Sequence, residues 1–202
     1  MLLILFAIFI FWMKVFAGSL VVYLLIFLSP SLIQFFATPI AKLVGLYKYL
    51  SPMLFAYAAN DKLYEIHNGT SFDYLMVMTA ANAGPKFKKQ MLNYYLDGLL
   101  KIVEKIEGNE LPESVVIRGS SYFFSDRTAK KLGFTLLEGS LATKINLFVN
   151  YLDLIWMYSL SRGRLSFPSL RNIKAGEITG QQLVLSKNKL LKMNSLVNNM
   201  SK

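Results

Sequence analysis

The chain has no cysteine among its 202 residues. Disulfides, thiolate metal centres, cysteine nucleophiles and palmitoylated cysteines are therefore excluded, and the redox compartment is left open. It has a single histidine, His67. The usual His-rich zinc or haem site lacks its ligands. No acidic residue precedes Asp61. No Walker loop, dinucleotide-binding glycine set, HExxH or EF-hand sequence occurs. No Gly-x-Ser-x-Gly elbow surrounds Ser120. These gaps leave no cofactor and no metal to expect.

Apolar residues are abundant. They make up 54% of the chain, and its mean hydropathy is +0.41. Met1–Leu28 reads MLLILFAIFIFWMKVFAGSLVVYLLIFL, with Lys14 its only charge. As a helix it would reach ~42 Å, more than the ~30 Å hydrocarbon layer of a bilayer. It has no basic start, and its apolar run passes any cleavage site near Ala17–Ser19. A membrane helix fits better than a cleaved leader. Lys14 fits a tilted or shifted helix whose stem snorkels, or a helix that turns it towards a partner helix or a substrate headgroup.

Ser29-Pro30-Ser31 is expected to break or kink that helix. Leu32–Leu50 is a second apolar stretch with Pro39, Lys42 and Lys48 inside it. It reads as a second span or as an interfacial helix, and the proline and lysines favour the interfacial or re-entrant form.

The net charge of +10 is unevenly spread. Residues 1–60 carry +3, residues 61–160 balance, and residues 161–202 carry +7. A DNA-binding domain more often wears its basic stripe on the folded body, so nucleic acid is disfavoured as a partner. Basic ends beside an apolar anchor fit a lipid bilayer with anionic headgroups, and leave room for another membrane protein. The expected location is the cell membrane, a bacterial inner membrane with the C-terminal domain cytoplasmic.

From residue 60 the texture changes. Residues 62–67 alternate polar and apolar, which predicts a strand. Asn68-Gly69-Thr70-Ser71 is a turn. Residues 72–83 read as a helix capped by Ser71, and Pro85 opens another. Met91, Leu92, Tyr95, Leu99, Ile102 and Ile106 set one apolar stripe over 86–107, with Gly108 as its left-handed cap. Strands follow at 114–124 and 134–138, with a helix at 126–132 between them capped by Ser125. Residues 141–160 form one long helix, greasy on one side and marked by Asn146, Asn150 and Asp153 on the other. Residues 176–180 read as a loop or hairpin tip. Residues 181–197 fit a basic amphipathic helix on a membrane or partner, a solvated helix, or disorder. The fold class is thus a membrane-anchored α/β protein. One or two N-terminal membrane helices (1–59) precede a small mixed α/β domain (60–160) and a basic C-terminal tail (161–202).

Two polar clusters are candidates for chemistry. His67 with Asp73 reads as a base and its orienting carboxylate, or as a turn capping its own backbone. Arg118, Ser120, Ser121, Tyr122 and Arg127 gather where a strand ends and a helix begins, a place that welcomes an anion. A neighbouring acid pairing with Arg118 is the alternative.

Residues 125–139 read SDRTAKKLGFTLLEG. Ser125, Ala129, Lys131, Leu132, Gly133, Phe134, Glu138 and Gly139 form a pattern that resembles the C-terminal helix and strand of GNAT-fold acyltransferases. The resemblance implies acyl transfer from acyl-CoA. Tyr122 stands where that family carries an asparagine. The family's pyrophosphate loop, Gln/Arg-x-x-Gly-x-Gly/Ala, has no counterpart in residues 61–125. Two functions follow as expectations: a membrane-anchored binding or assembly protein, or a GNAT-like acyltransferase acting near the membrane.

Overall fold

In the computed structural model the described residues are 19–57, 59–78, 83–120, 126–139, 141–169 and 174–199, with Ala7, Ile10, Phe11 and Lys14. These last four are helical and exposed. The first continuous element is helix α1 (Leu20–Leu43). Within it Val22–Leu43 is long and apolar enough to cross a membrane by length and composition. The expected break at Pro30 does not occur. Pro30 has no N–H for the carbonyl of Ile26, and the Ser29 hydroxyl donates to that oxygen instead, at 2.8 Å.

The second apolar stretch does not form a helix of its own. α1 runs through Pro39 to Leu43, and Gly45 turns the chain at φ +73°. The alternation Tyr47-Lys-Tyr-Leu-Ser51 then forms strand β1 (Tyr47–Ser51), paired with β2 (Leu54–Tyr57). A helical reading of 32–50 failed at its end, where its last four residues enter β1.

Strand β3 (Leu63–Asn68) leads to a short helix α2 (Ser71–Val77), capped by Thr70 rather than Ser71. The long helix α3 (Pro85–Glu107) begins on Pro85 and buries Phe87, Met91, Tyr95, Leu99, Ile102 and Ile106 along one stripe. At its end Gly108 stays at φ −80°, and Asn109 takes the left-handed conformation instead. After β4 (Val116–Ser120), α4 (Asp126–Lys131) and β5 (Thr135–Glu138), the predicted long helix appears as two. These are α5 (Leu141–Val149) and α6 (Tyr151–Arg162). The break falls at Asn150, whose side-chain amide turns back onto the carbonyl and side-chain oxygens of Asn146.

The basic tail folds into the body. Residues 176–180, read as a loop or hairpin tip, fall mostly in strand β6 (Lys174–Thr179). It is followed by α7 (Gly180–Leu185), with a Thr179/Gln182 capping box, and α8 (Lys187–Asn199). The strand order is β1-β2-β3-β4-β6-β5. β1, β2 and β3 form an antiparallel meander. β3 and β4 are parallel, joined by the α2–α3 crossover. β6 returns between β4 and β5, antiparallel to both. The sheet therefore draws β1 and β2 from before residue 60 and β6 from after residue 160.

One face of the sheet carries Leu54, Ala56, Tyr64, Ile66, Ile117 and Ile178 against α3. Leu183, Leu190 and Val197 of α7 and α8 join that core, while Leu185, Leu191 and Leu196 stay exposed. Gly98 lets α3 close on the sheet, since a Cβ there would lie 2.5 Å from Leu54 Cδ2. A second, methionine-rich cluster holds Met53, Tyr74, Phe87, Met91, Leu154 and Met157, and ties α2, α3 and α6 to the β1–β2 turn.

α1 packs the reverse of a soluble helix. Gln34 lines the domain's cleft, and Thr38 and Ala41 are buried. Thr38 donates to the Thr70 hydroxyl at 3.0 Å. The large apolar side chains Ile33, Phe36, Ile40 and Leu43 face outward, Leu43 at 86% exposure.

Candidate functional site

The face of the sheet opposite α3 is built from the alternate residues of the same strands. Tyr47 and Tyr49 of β1 and Phe55 and Tyr57 of β2 lie together with His67 of β3. Tyr47 stacks on Phe55 at 4.4 Å between ring centres, and His67 stacks on Phe55 at 5.7 Å. This aromatic floor opens into a cleft of about 560 Å³. Its other wall is α5 and α6, through Asn146, Asn150, Asp153, Leu154 and Met157, with Gln34 of α1 at one side.

The cleft lies at the carboxyl ends of the parallel pair, where open α/β sheets bind ligands. Among the described residues the β3–β4 ladder ends at Ile66 opposite Gly119. Beyond it β3 continues with β2 to Asn68, and β4 continues with β6 to Ser120. The two strands part there. Gly119 permits their last close approach: a Cβ would lie 2.6 Å from Ile66 Cγ1 and 2.9 Å from the Ile66 carbonyl oxygen. The strong Asn68-Gly69 turn signal led to no hairpin, and neither residue has positive φ. Gly69 is instead pressed against Met53 and Asp73, at 2.8 and 3.0 Å from its would-be Cβ.

The candidate residues separate. His67 lines the cleft. Its side chain is about one-third exposed, yet Nε2 is enclosed and has no hydrogen-bond partner among the described residues. Burial lowers its pKa below the usual 6.5, with Glu65 at 4.0 Å acting in the opposite sense. Asp73 does not orient it. Both Asp73 oxygens accept from the Tyr49 hydroxyl at 2.8 Å, and Oδ2 also accepts from the Thr70 amide and hydroxyl. Asp73 thus closes the capping box of α2 and fastens β1 to it. Burial, then the Asp73 hydrogen bond and charge, push the Tyr49 phenol far above its ordinary range.

Arg118 also lines the cleft, but its Nε and Nη2 donate to Glu177 Oε2 at 2.8 and 2.6 Å across the β4–β6 ladder. Ser120 ends β4 beside the parting strands. Ser121 and Tyr122 lie outside the described residues. Arg127 sits exposed on α4 and does not line the cleft. The residues that sequence reasoning placed on a helix face without a role are Asn146, Asn150 and Asp153. Their polar spacing within a greasy run was the visible signal. Asp153 opens α6, is 9% exposed, and accepts from the Ser71 hydroxyl at 2.6 Å through Oδ1. Its Oδ2 is enclosed without a partner among the described residues.

The helix and strand of the GNAT-like stretch fold as α4 and β5 at the far edge of the sheet, with Gly133 at φ +93° between them. No family model, curated protein or solved structure matches the chain.

Proposed function

We propose that this chain is a membrane-associated binding protein whose sheet cleft receives a small ligand beside the bilayer. The observation that carries the membrane part is the outward face of α1. Ile33, Phe36, Ile40 and Leu43 point away from the domain while Gln34, Thr38 and Ala41 point into it. Water would favour the opposite arrangement, whereas lipid outside and small or polar residues at the helix contact favour this one. The acid-free first 60 residues and their lysines support a cytoplasmic side for the domain. Because Gln34 is a wall of the cleft, the anchor helix and the ligand site are one structure.

Flotation of the full chain with phosphatidylcholine vesicles tests this. The folded full chain should float with the vesicles and stay in the lipid layer after a carbonate wash. A folded chain recovered wholly in the soluble fraction overturns the reading.

The parting of β3 and β4 favours a second reading. It opens strand edges onto the cleft, where an extended amide-bearing arm such as that of an acyl thioester would find backbone partners. With the α4–β5 pattern, this supports a GNAT-like acyltransferase. Saturable binding of acetyl-CoA to the full chain is its expected outcome, and no binding at high micromolar ligand removes it.

A further inference from the structure

Helix α5 (Leu141–Val149) has nine residues, and among its described side chains only Leu147 is buried. Leu141, Ile145 and Phe148 form one stripe at i, i+4 and i+7, exposed by 73, 56 and 69%. A helix this short is held by the packing of its apolar face rather than by its own hydrogen bonds. Here most of that face is uncovered.

The neighbouring helices share the feature. α1 packs on α2, α2 on α6, and α6 on α5. The rings of Phe36, Phe35 and Phe72 run in edge contact from the outward face of α1 to α2, with centres 5.4 and 5.5 Å apart. Leu75 and Met76, three and four residues after Phe72, continue that face of α2 and are exposed. Trp156 of α6 is also exposed and meets Tyr74 of α2 at 6.0 Å between ring centres. Exposed apolar side chains thus pass from α1 to α2, α6 and α5. The outer charge of these four helices has one sign. Their only acids, Asp73 and Asp153, are both buried. Lys42, Lys144 and Arg162 are exposed, as is Arg164 just past α6. None of these four has an acidic partner among the described residues.

We propose that α5, with Leu75 and Met76 of α2 and Trp156 of α6, is a second bilayer contact. α5 lies in the headgroup layer as an interfacial helix beside α1, its Leu141, Ile145 and Phe148 stripe reaching the upper acyl chains. A short apolar stripe with basic neighbours and no exposed acid suits an anionic leaflet. The stem of Lys144 lets its ammonium reach the phosphates while the stripe enters the lipid. Trp156 suits the same depth. An acidic protein partner would match the cations, but it would not account for the continuity with α1, a helix long and apolar enough to cross a membrane. This rests on the membrane reading of α1 and extends it: the domain meets the bilayer with its own helices as well as with its anchor.

The chain has no cysteine, so a single introduced one reports its own surroundings. The full chain carrying Phe148→Cys, Phe36→Cys or Lys101→Cys is labelled with nitrobenzoxadiazole and placed in nanodiscs of phosphatidylcholine and phosphatidylglycerol. Lys101 is exposed on α3, which covers the closed face of the sheet. Lipid with a doxyl group high on its acyl chain should remove most of the emission at Phe148→Cys and Phe36→Cys. Aqueous iodide should remove most of it at Lys101→Cys alone. Ile145→Cys takes the place of Phe148→Cys if that variant does not fold. A label at Phe148→Cys that iodide reaches as readily as at Lys101→Cys overturns the proposal. So does a label shielded from both quenchers, which would put a protein on α5. Doxyl quenching at Phe36→Cys without quenching at Phe148→Cys removes this inference alone. Quenching at neither removes the membrane reading with it. Lys144→Glu with Arg164→Glu should lower doxyl quenching at Phe148→Cys and leave Phe36→Cys unchanged. An undiminished signal at Phe148→Cys overturns the choice of an anionic leaflet.

Discussion

The two faces of the six-stranded sheet are made from the same strands and serve different ends. The face under α3 is dry and closed, with Leu54, Ile66 and Ile117 packed against Leu99 and Ile102. The opposite face carries rings, charges and enclosed polar atoms without partners among the described residues, and ends in an open cleft. The first face gains stability from burial. The second forgoes some of it, since each unsatisfied enclosed group costs free energy that apolar packing would not. A division of this kind is what a binding site on a stable scaffold requires.

Substitutions on the two faces should therefore separate. Leu99→Ala, on the closed face, should lower unfolding stability by about 2–5 kcal/mol in urea titration. A smaller loss would mean that α3 is not the core helix. Tyr49→Phe removes the hydroxyl that donates to both Asp73 oxygens. It should cost about 1.5–3 kcal/mol, the worth of a hydrogen bond to a charged group. Gly119→Ala sets a Cβ against Ile66 where the strands part. It should cost about 1–3 kcal/mol through overpacking, and also weaken ligand binding.

His67→Phe should have the least effect on stability. It keeps the stack on Phe55 and removes an enclosed nitrogen, so the change should stay within about 1 kcal/mol. A large loss would make the cleft face structural after all. The same variant isolates a pH effect. The folded pKa of His67 lies below 6.5. Between that value and 6.5 the unfolded chain binds more protons than the folded one. Stability therefore rises with pH in that window and is lost as pH falls through it. Denaturant midpoints measured between about pH 5 and 7 should show that slope in the unaltered chain and lose it in His67→Phe.

Much of the local structure was readable from residue order. The α3 stripe, the Pro85 start and the alternation of 62–67 each rest on contacts within a few residues. Local signals misled where a neighbour overrode them. Ser29 rescued the carbonyl that Pro30 freed, so no break formed. Gly69 was chosen for close contact with Met53 rather than for positive φ. Asn150 split a helix that hydropathy read as continuous. The tail misled most, because Lys174–Thr179 has too little apolar character to announce a central strand, yet lies between β4 and β5.

The site followed the same rule. His67 and Arg118 were visible as polar residues on strands, and the structure places both at the cleft. The supposed partner of His67 was chosen by nearness in sequence, and the structure gives Asp73 to Tyr49 instead. Arg118 pairs with an acid, as its alternative reading had it, and that acid is Glu177 across the β4–β6 ladder. Periodicity and capping specify which segments are helix or strand, because those preferences act over one or two turns. Strand order, the burial of the tail, and the meeting of Asp153 with His67 around one cleft come from ladders and packing between distant residues. A pattern read along the chain carries no record of which distant segments will pair.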